Sequence, residues 1–168
     1  RVRMRCAARV SAGIVANSGR TLADFDAFCA REAIAHGPAV VAHLGPGLPE
    51  AAPGPRPLAA PYFGVLGTIE ARKNHLLLLH LWRRLAEEKG ARAPRLVVIG
   101  QRGWESEQAI DLLERCRALQ GLVVEKGRCT DAELATWLHH AQALLFPSFV
   151  EGYGLPLAEA LSRGVPVI

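Results

Sequence analysis

Short apolar runs alternate with longer amphipathic runs along most of this chain, and the alternation is unbroken from residue 62 onward. "YFGVLGT" (62–68) is a brief apolar run closing on glycine, and "NHLLLLHLWRRLAEEKG" (74–90) carries apolar residues at helical spacing, with Asn74 placed to cap its start. The pattern next predicts a buried strand at "RLVVIG" (95–100), a helix at "ESEQAIDLLERCRALQ" (105–120) and a third strand at "LVVEKG" (122–127). "TDAELATWLHHA" opens with Thr130 and Glu133 at the spacing of a capping box. A fourth strand at "ALLFPS" (143–148), a helix within "EGYGLPLAEALSRG" and the start of a fifth strand at "VPVI" (165–168) complete the series.

Short apolar strands separated by helices predict an α/β fold, a Rossmann-like parallel sheet with helices on both faces. Ligands of such sheets sit beyond the carboxyl ends of the strands, so the loops after residues 67, 100, 127 and 148 are the candidate site. The leading part reads strand, helix, strand: "AGIVAN" (12–17), "TLADFDAFCAREA" (21–33) and "AVVAH" (39–43). Between the two parts, residues 44–61 hold six prolines and three glycines, which can continue neither a helix nor a central strand. The expected organisation is therefore the end of one Rossmann-like domain over 1–43, a linker over 44–61 and a second, ligand-binding domain over 62–168.

Composition narrows this picture only a little. Half of the 168 residues are apolar and 21% are charged, enough for a sizeable core. No apolar run approaches the roughly 20 residues that span a bilayer, and no secretory signal opens the chain. Cys6, Cys29, Cys116 and Cys129 form no Cys-x-x-Cys pair and read as reduced thiols of a cytoplasmic protein. The net charge of +4 suits an anionic partner, and much of the excess lies in Arg1, Arg3, Arg5 and Arg9. No aromatic residue interleaves with those arginines, so nucleic acid is not the expected partner. Sugar phosphates, or lipid headgroups at the inner membrane face, fit better.

The chemistry concentrates in the four loops. They read "GTIEARKN", "GQRGW", "GRCTD" and "PSFVEGYGLP", and three of them set glycine beside a cation. Glycine lets a backbone approach its ligand closely, and the helix start after Gly152, Tyr153, Gly154 and Leu155 attracts anions. With Arg72 and Lys73 opposite, this arrangement suits a diphosphate, whose departure it could stabilise with no metal. Glu151 and Glu159 would repel phosphate, but carboxylates accept well from hydroxyls, which ribose and hexose both offer. Eight residues apart around a helix start, they lie on the order of 10 Å from one another at about 1.5 Å rise per helical residue. That spacing suits one acid on a sugar and one on a ribose, with the diphosphate between.

These segments carry a resemblance. "PSFVEGYGLPLAEALSRGVPVI" resembles the Glu-x7-Glu signature of family 4 glycosyltransferases, which have the GT-B fold. "GTIEARKNH" and "VVIGQRGWESEQAIDLLE" resemble donor-side segments of the same family, and "IVANS" with "VVAHLGPGL" the end of its N-terminal domain. The resemblance implies a retaining, metal-independent transfer of a hexosyl group, a mannosyl group among the candidates, from a nucleotide-diphosphate sugar to a glycan or lipid-linked acceptor, with no cofactor. It implies that Glu151 contacts the transferred sugar, Glu159 the ribose and Lys73 the diphosphate, with Gly67, Arg72, Gly152, Tyr153, Gly154 and Leu155 around the donor. Where the family often has arginine after the first loop's glycine, this chain has Thr68, and Arg72 is the candidate substitute. The resemblance also implies that the chain is the central part of a longer protein and is inactive alone.

Several residues have plainer readings. Asp24 and Asp26 spell Asp-x-Asp, but with Leu22, Phe25, Phe28 and Cys29 as the buried stripe of a helix they face solvent. His139 and His140 end a helix, where a cation suits the dipole. His75 and His80 read as surface or packing residues, with His75 near enough to Lys73 to keep as a candidate. Trp82, Trp104 and Trp137 read as core or helix-packing residues, with a place in the cleft wall as the alternative for Trp104, and Glu70 reads as an exposed acid or a loop carboxylate near the sugar. The competing functions are another GT-B enzyme, such as a sugar-nucleotide epimerase or a glycogen-synthase-like enzyme, and a catalytically silent nucleotide-binding module.

Overall fold

The computed structural model describes residues 2–48 and 52–168; Arg1 of the basic run and Pro49, Glu50 and Ala51 of the proline-rich segment lie outside the described residues. The chain divides into two compact units between Gly45 and Pro46.

In the first unit, β1 (Ile14–Ala16) and β2 (Ala39–Val41) pair in parallel, joined by helix α2 (Gly19–Arg31). Ser18 caps α2 by accepting from the Thr21 amide. Phe25 and Cys29 are buried, whereas Asp24 pairs with Arg20 and Asp26 with His36 on the exposed side. An unforeseen helix, α1 (Val2–Val10), precedes β1, and Arg5 on it pairs with Glu32. Both strands are shorter than the runs 12–17 and 39–43, because only three residues of each find a partner.

The second unit is built on a parallel sheet in the order β5 (Val123–Lys126), β4 (Arg95–Ile99), β3 (Tyr62–Leu66). Two further chain segments extend it on the β3 side through single parallel bridges, Gly64 to Leu144 and Leu144 to Val167. The sequence predicts strands at both places. Pro147 and Pro166 have no amide to donate, and pairing stops within a few residues of them.

Alternate residues of β4 explain why its apolar run is continuous. Leu96 and Val98 pack with Leu79 and Trp82 of α3 (His75–Lys89) and Ala109 of α4 (Glu107–Arg115). Val97 and Ile99 pack with Tyr62 and with Trp137 of α5 (Asp131–His139). Both faces of the strand are covered, as a parallel sheet requires.

Local deviations have local causes. Helix α4 is shorter than 105–120: it ends at Arg115, and a single 3-10 turn over Arg117–Leu119 delivers Leu119, 2% exposed, into the core. Asn74 occupies the cap position of α3 but makes no side-chain cap. It adopts the left-handed conformation that asparagine tolerates, and its amide donates to the Pro147 carbonyl. The Thr130–Glu133 capping box of α5 is formed in full. The proline-rich segment is docked on the second unit: Leu48 is buried with Leu138, Leu144 and Ala160, and the Gly54 amide donates to Thr136.

Candidate functional site

The carboxyl ends of β3 and β4 are pressed together by glycine. A Cβ on Gly100 would lie 2.0 Å from the Gly67 carbonyl oxygen, so no side chain fits there. Gly67 itself has φ +132° and lies under the stem of Lys73. A cavity of about 650 Å³ opens over these ends, lined among others by Gly67, Thr68, Gln101, Trp104 and Arg128. Trp104 is 86% exposed on its rim, which overturns its reading as a packing residue and agrees with the alternative that places it in the cleft wall. Trp82 and Trp137 are buried, as that reading has them.

Lys73 ends a 3-10 turn over Ala71–Lys73 and is only 8% exposed. Its ammonium donates to Glu151 Oε1 at 2.6 Å. Arg72 donates from Nη1 to Glu151 Oε2 and to the Val150 carbonyl, both at 3.0 Å, and its Nε lies 2.7 Å from Glu70. Two carboxylates and two cations thus form one network joining the loop after β3 to the loop before α6 (Leu155–Ser162). Burial alone would raise Glu151, but hydrogen bonds from Lys73, Ser148 and Arg72 outweigh it and hold the carboxyl below its ordinary range. Glu70 is therefore a partner of Arg72, not a free exposed acid.

Helix α6 starts at Leu155, behind Gly154 in the left-handed conformation at φ +86°, with Pro156 in its first turn. Gly152 is exposed and Tyr153 half-buried in the turn before it. Glu159 lies on α6, and its carboxyl is shifted up, first by burial. The Gly47 backbone amide opposes that shift by donating to it. The structure therefore brings Lys73, Arg72, Gly67 and Glu151 together, while Glu159 faces the proline-rich segment.

Three features escaped the sequence reading. His75 is a packing residue, the second of its two readings, at 2% exposure, and the unforeseen feature is that neither ring nitrogen has a hydrogen-bond partner. Burial foremost, with Lys73 adding to it, pulls its pKa down to about 4, so the ring is neutral at pH 7. Arg102 is held by Glu125, through two hydrogen bonds, and by Glu114, which occupies a cation of the second loop. The Gly47 contact of Glu159 is the third. Among the described residues no group of three or more His, Cys, Asp or Glu could hold a metal ion, and no helix is long and apolar enough to cross a membrane.

Comparison with known proteins adds to this geometry. The profile of "Glycosyl transferases group 1" matches residues 60–168. The chain is 40% identical over 103 residues to O-antigen chain mannosyltransferase B of Escherichia coli, covering 61% of this chain and 26% of that protein. It is 34% identical over 110 residues to the serotype-specific mannosyltransferase WbdA of Escherichia coli, covering 66% of this chain and 13% of that one. The chain thus spans about a quarter or less of these relatives. Among solved structures, sucrose-phosphate synthase from Thermosynechococcus elongatus superposes with a TM-score of 0.72 at 20% identity, over 99% of this chain and 43% of that one. Anabaena HepE in complex with UDP gives a TM-score of 0.72 at 16% identity, over 99% and 46%.

Proposed function

The chain belongs to the group 1 glycosyl transferases and has their GT-B fold, and from that premise we propose that it carries the donor-binding part of a retaining hexosyltransferase. The proposed donor is a nucleotide-diphosphate mannose and the proposed acceptor a glycan, the mannosyl assignment being supported by the two Escherichia coli relatives. The observation that carries this reading is the Lys73–Arg72–Glu151 network, set between the Gly67 turn and the start of α6.

In this reading the diphosphate takes the place Glu151 holds against Lys73 and Arg72. The bond from the sugar's anomeric carbon to the diphosphate breaks while that to the acceptor oxygen forms, and the acceptor's proton passes to the leaving phosphate. Negative charge grows on that phosphate, and Lys73, Arg72 and the positive end of α6 meet it. The released Glu151 accepts from hexose hydroxyls, and Glu159 from the ribose. These cations supply the positive charge that a divalent ion would otherwise bring, so the reaction needs no metal.

The test is a binding panel of GDP-, UDP- and ADP-sugars, with and without chelator. The mannose donor should bind more tightly than other sugars on the same base, with chelator changing its affinity by no more than about threefold. Failure of every nucleotide sugar to bind, or a strict need for Mg²⁺ or Mn²⁺, overturns the proposal.

A further inference from the structure

Arg72 is the most exposed member of the network around Glu151, its side chain at 48% against 23% for Glu70 and 10% for Lys73. A guanidinium on a long flexible stem loses much rotamer freedom when it meets a phosphate, unless the protein already holds it. Here its Nη1 donates to the Val150 carbonyl and to Glu151, and its Nε lies 2.7 Å from Glu70 Oε1. In the transfer reading a phosphate displaces Glu151, so that contact is given up as the donor binds. The contact with Glu70 stays.

Glu70 is firmly anchored. Ile69 before it is fully buried; its amide donates to the Gln101 carbonyl, and its carbonyl accepts from the Gly103 amide. The Glu70 carbonyl accepts from the Lys73 amide and closes the 3-10 turn that carries both cations. Its side chain does not cap that turn, so capping gives no reason for a carboxylate at this position. An acid beside a diphosphate repels the ligand, and its presence needs another use.

We propose that Glu70 is a positioning residue: through Nε it fixes the Arg72 guanidinium, so that Nη1 stays aimed at the place the departing phosphate takes from Glu151. The inference rests on the transfer reading, in which Arg72 meets that phosphate. Glu70 acts through Arg72 and touches neither sugar nor phosphate.

The experiment is a double-mutant cycle on nucleotide affinity, measured calorimetrically. The probes are whichever of GDP, UDP and ADP the chain binds best, and the matching monophosphate. Glu70→Ala should weaken the diphosphate Kd by roughly three- to tenfold. The monophosphate lacks the phosphate that Arg72 meets, and its Kd should stay within about twofold of the original. Glu70→Gln, whose amide oxygen still accepts from Nε, should hold the diphosphate Kd within about twofold. In the Arg72→Ala background, Glu70→Ala should weaken the diphosphate no further. If Glu70→Ala does not fold, Glu70→Asp, one methylene too short for the contact, makes the same measurements. An unchanged diphosphate Kd, equal weakening of the mono- and diphosphate, or the same loss in the Arg72→Ala background would each overturn the inference and leave the transfer reading standing. Failure of the unaltered chain to bind any of the three diphosphates sinks both.

Discussion

Lys73 Nζ stands 2.6 Å from Glu151 Oε1, so the cation proposed to hold the donor's diphosphate is already paired with the carboxylate proposed to hold the donor's sugar. Both side chains are largely shielded, the lysine at 10% and the glutamate at 17% exposure. A shielded pair resists salt screening better than a surface pair, but removing one partner leaves the other uncompensated. Under the proposed function donor binding is then an exchange, in which a phosphate takes the lysine and a hydroxyl takes the glutamate.

This exchange makes Glu151 a competitor of the diphosphate. Glu151→Gln should tighten binding of a free nucleoside diphosphate by roughly three- to tenfold while lowering sugar transfer, because the amide neither repels phosphate nor accepts as strongly from a hexose hydroxyl. Lys73→Ala should weaken the same ligand by at least about tenfold. Calorimetric titration of both variants decides the matter: a Glu151→Gln Kd equal to or weaker than the original removes the exchange.

The buried His75 gives the fold an acid-sensitive point. Its folded pKa near 4 lies below the ordinary 6.5, so between those values the unfolded chain binds the proton and the folded chain does not. Stability is fully present above pH 6.5 and is lost as pH falls towards 4, by up to about 1.4 kcal/mol per pH unit and on the order of 3 kcal/mol in total. Glu151, whose pKa is lowered, adds its own loss only below about 4.5. Thermal unfolding midpoints from pH 7 to pH 4 should fall for the unaltered chain and fall less for His75→Leu. Parallel curves for the two would remove this role.

Gly100 tests the close approach beneath the site. An added methyl would lie 2.0 Å from a backbone oxygen that is itself fixed by the sheet, since the Gly67 amide donates to the Ile99 carbonyl. Gly100→Ala should destabilise by roughly 3–5 kcal/mol, against little change for Gly64→Ala, where a methyl meets nothing within 4 Å. Denaturant midpoints of the two variants measure the difference, and equal midpoints would contradict the close packing.

Much of the fold was legible because its strands are short, apolar and separated by helices with readable starts. Thr130 and Glu133 announced a capping box that forms. Helix α1 was not legible: of its nine residues only Ala8 is buried, so its amphipathic signal is faint. Asn74 was misread as a side-chain cap because a cap and a left-handed turn favour the same residue type. Lys73 and Glu151 were readable as site candidates from their loops, but their pairing across 78 residues is tertiary and leaves no local trace. His75 could be read as a surface or a packing residue at a helix start, and its burial is a tertiary property that leaves no local trace.

Glu159 stands on α6 against the proline-rich segment, and its proposed contact with the ribose can be tested from either end of that pairing. The Gly47 amide donates to its carboxylate, and a methyl on Gly47 would stand 3.2 Å from Glu159 Oε1. Gly47→Ala therefore pushes on the carboxylate without removing it. Burial raises the Glu159 pKa, so the folded chain favours the protonated acid; the corresponding stability is present below about 4.5 and is lost as pH rises through the folded value. Glu159→Gln removes that loss and should leave the fold at neutral pH no less stable. If Glu159 also accepts from the ribose, Glu159→Gln should weaken nucleoside diphosphate and nucleotide sugar equally, by roughly tenfold, and Gly47→Ala should weaken both by a few-fold. A variant that lowers affinity for the sugar donor alone would move Glu159 from the ribose to the hexose. Unchanged affinity in both variants would leave Glu159 with a structural role only, holding the proline-rich segment against α6.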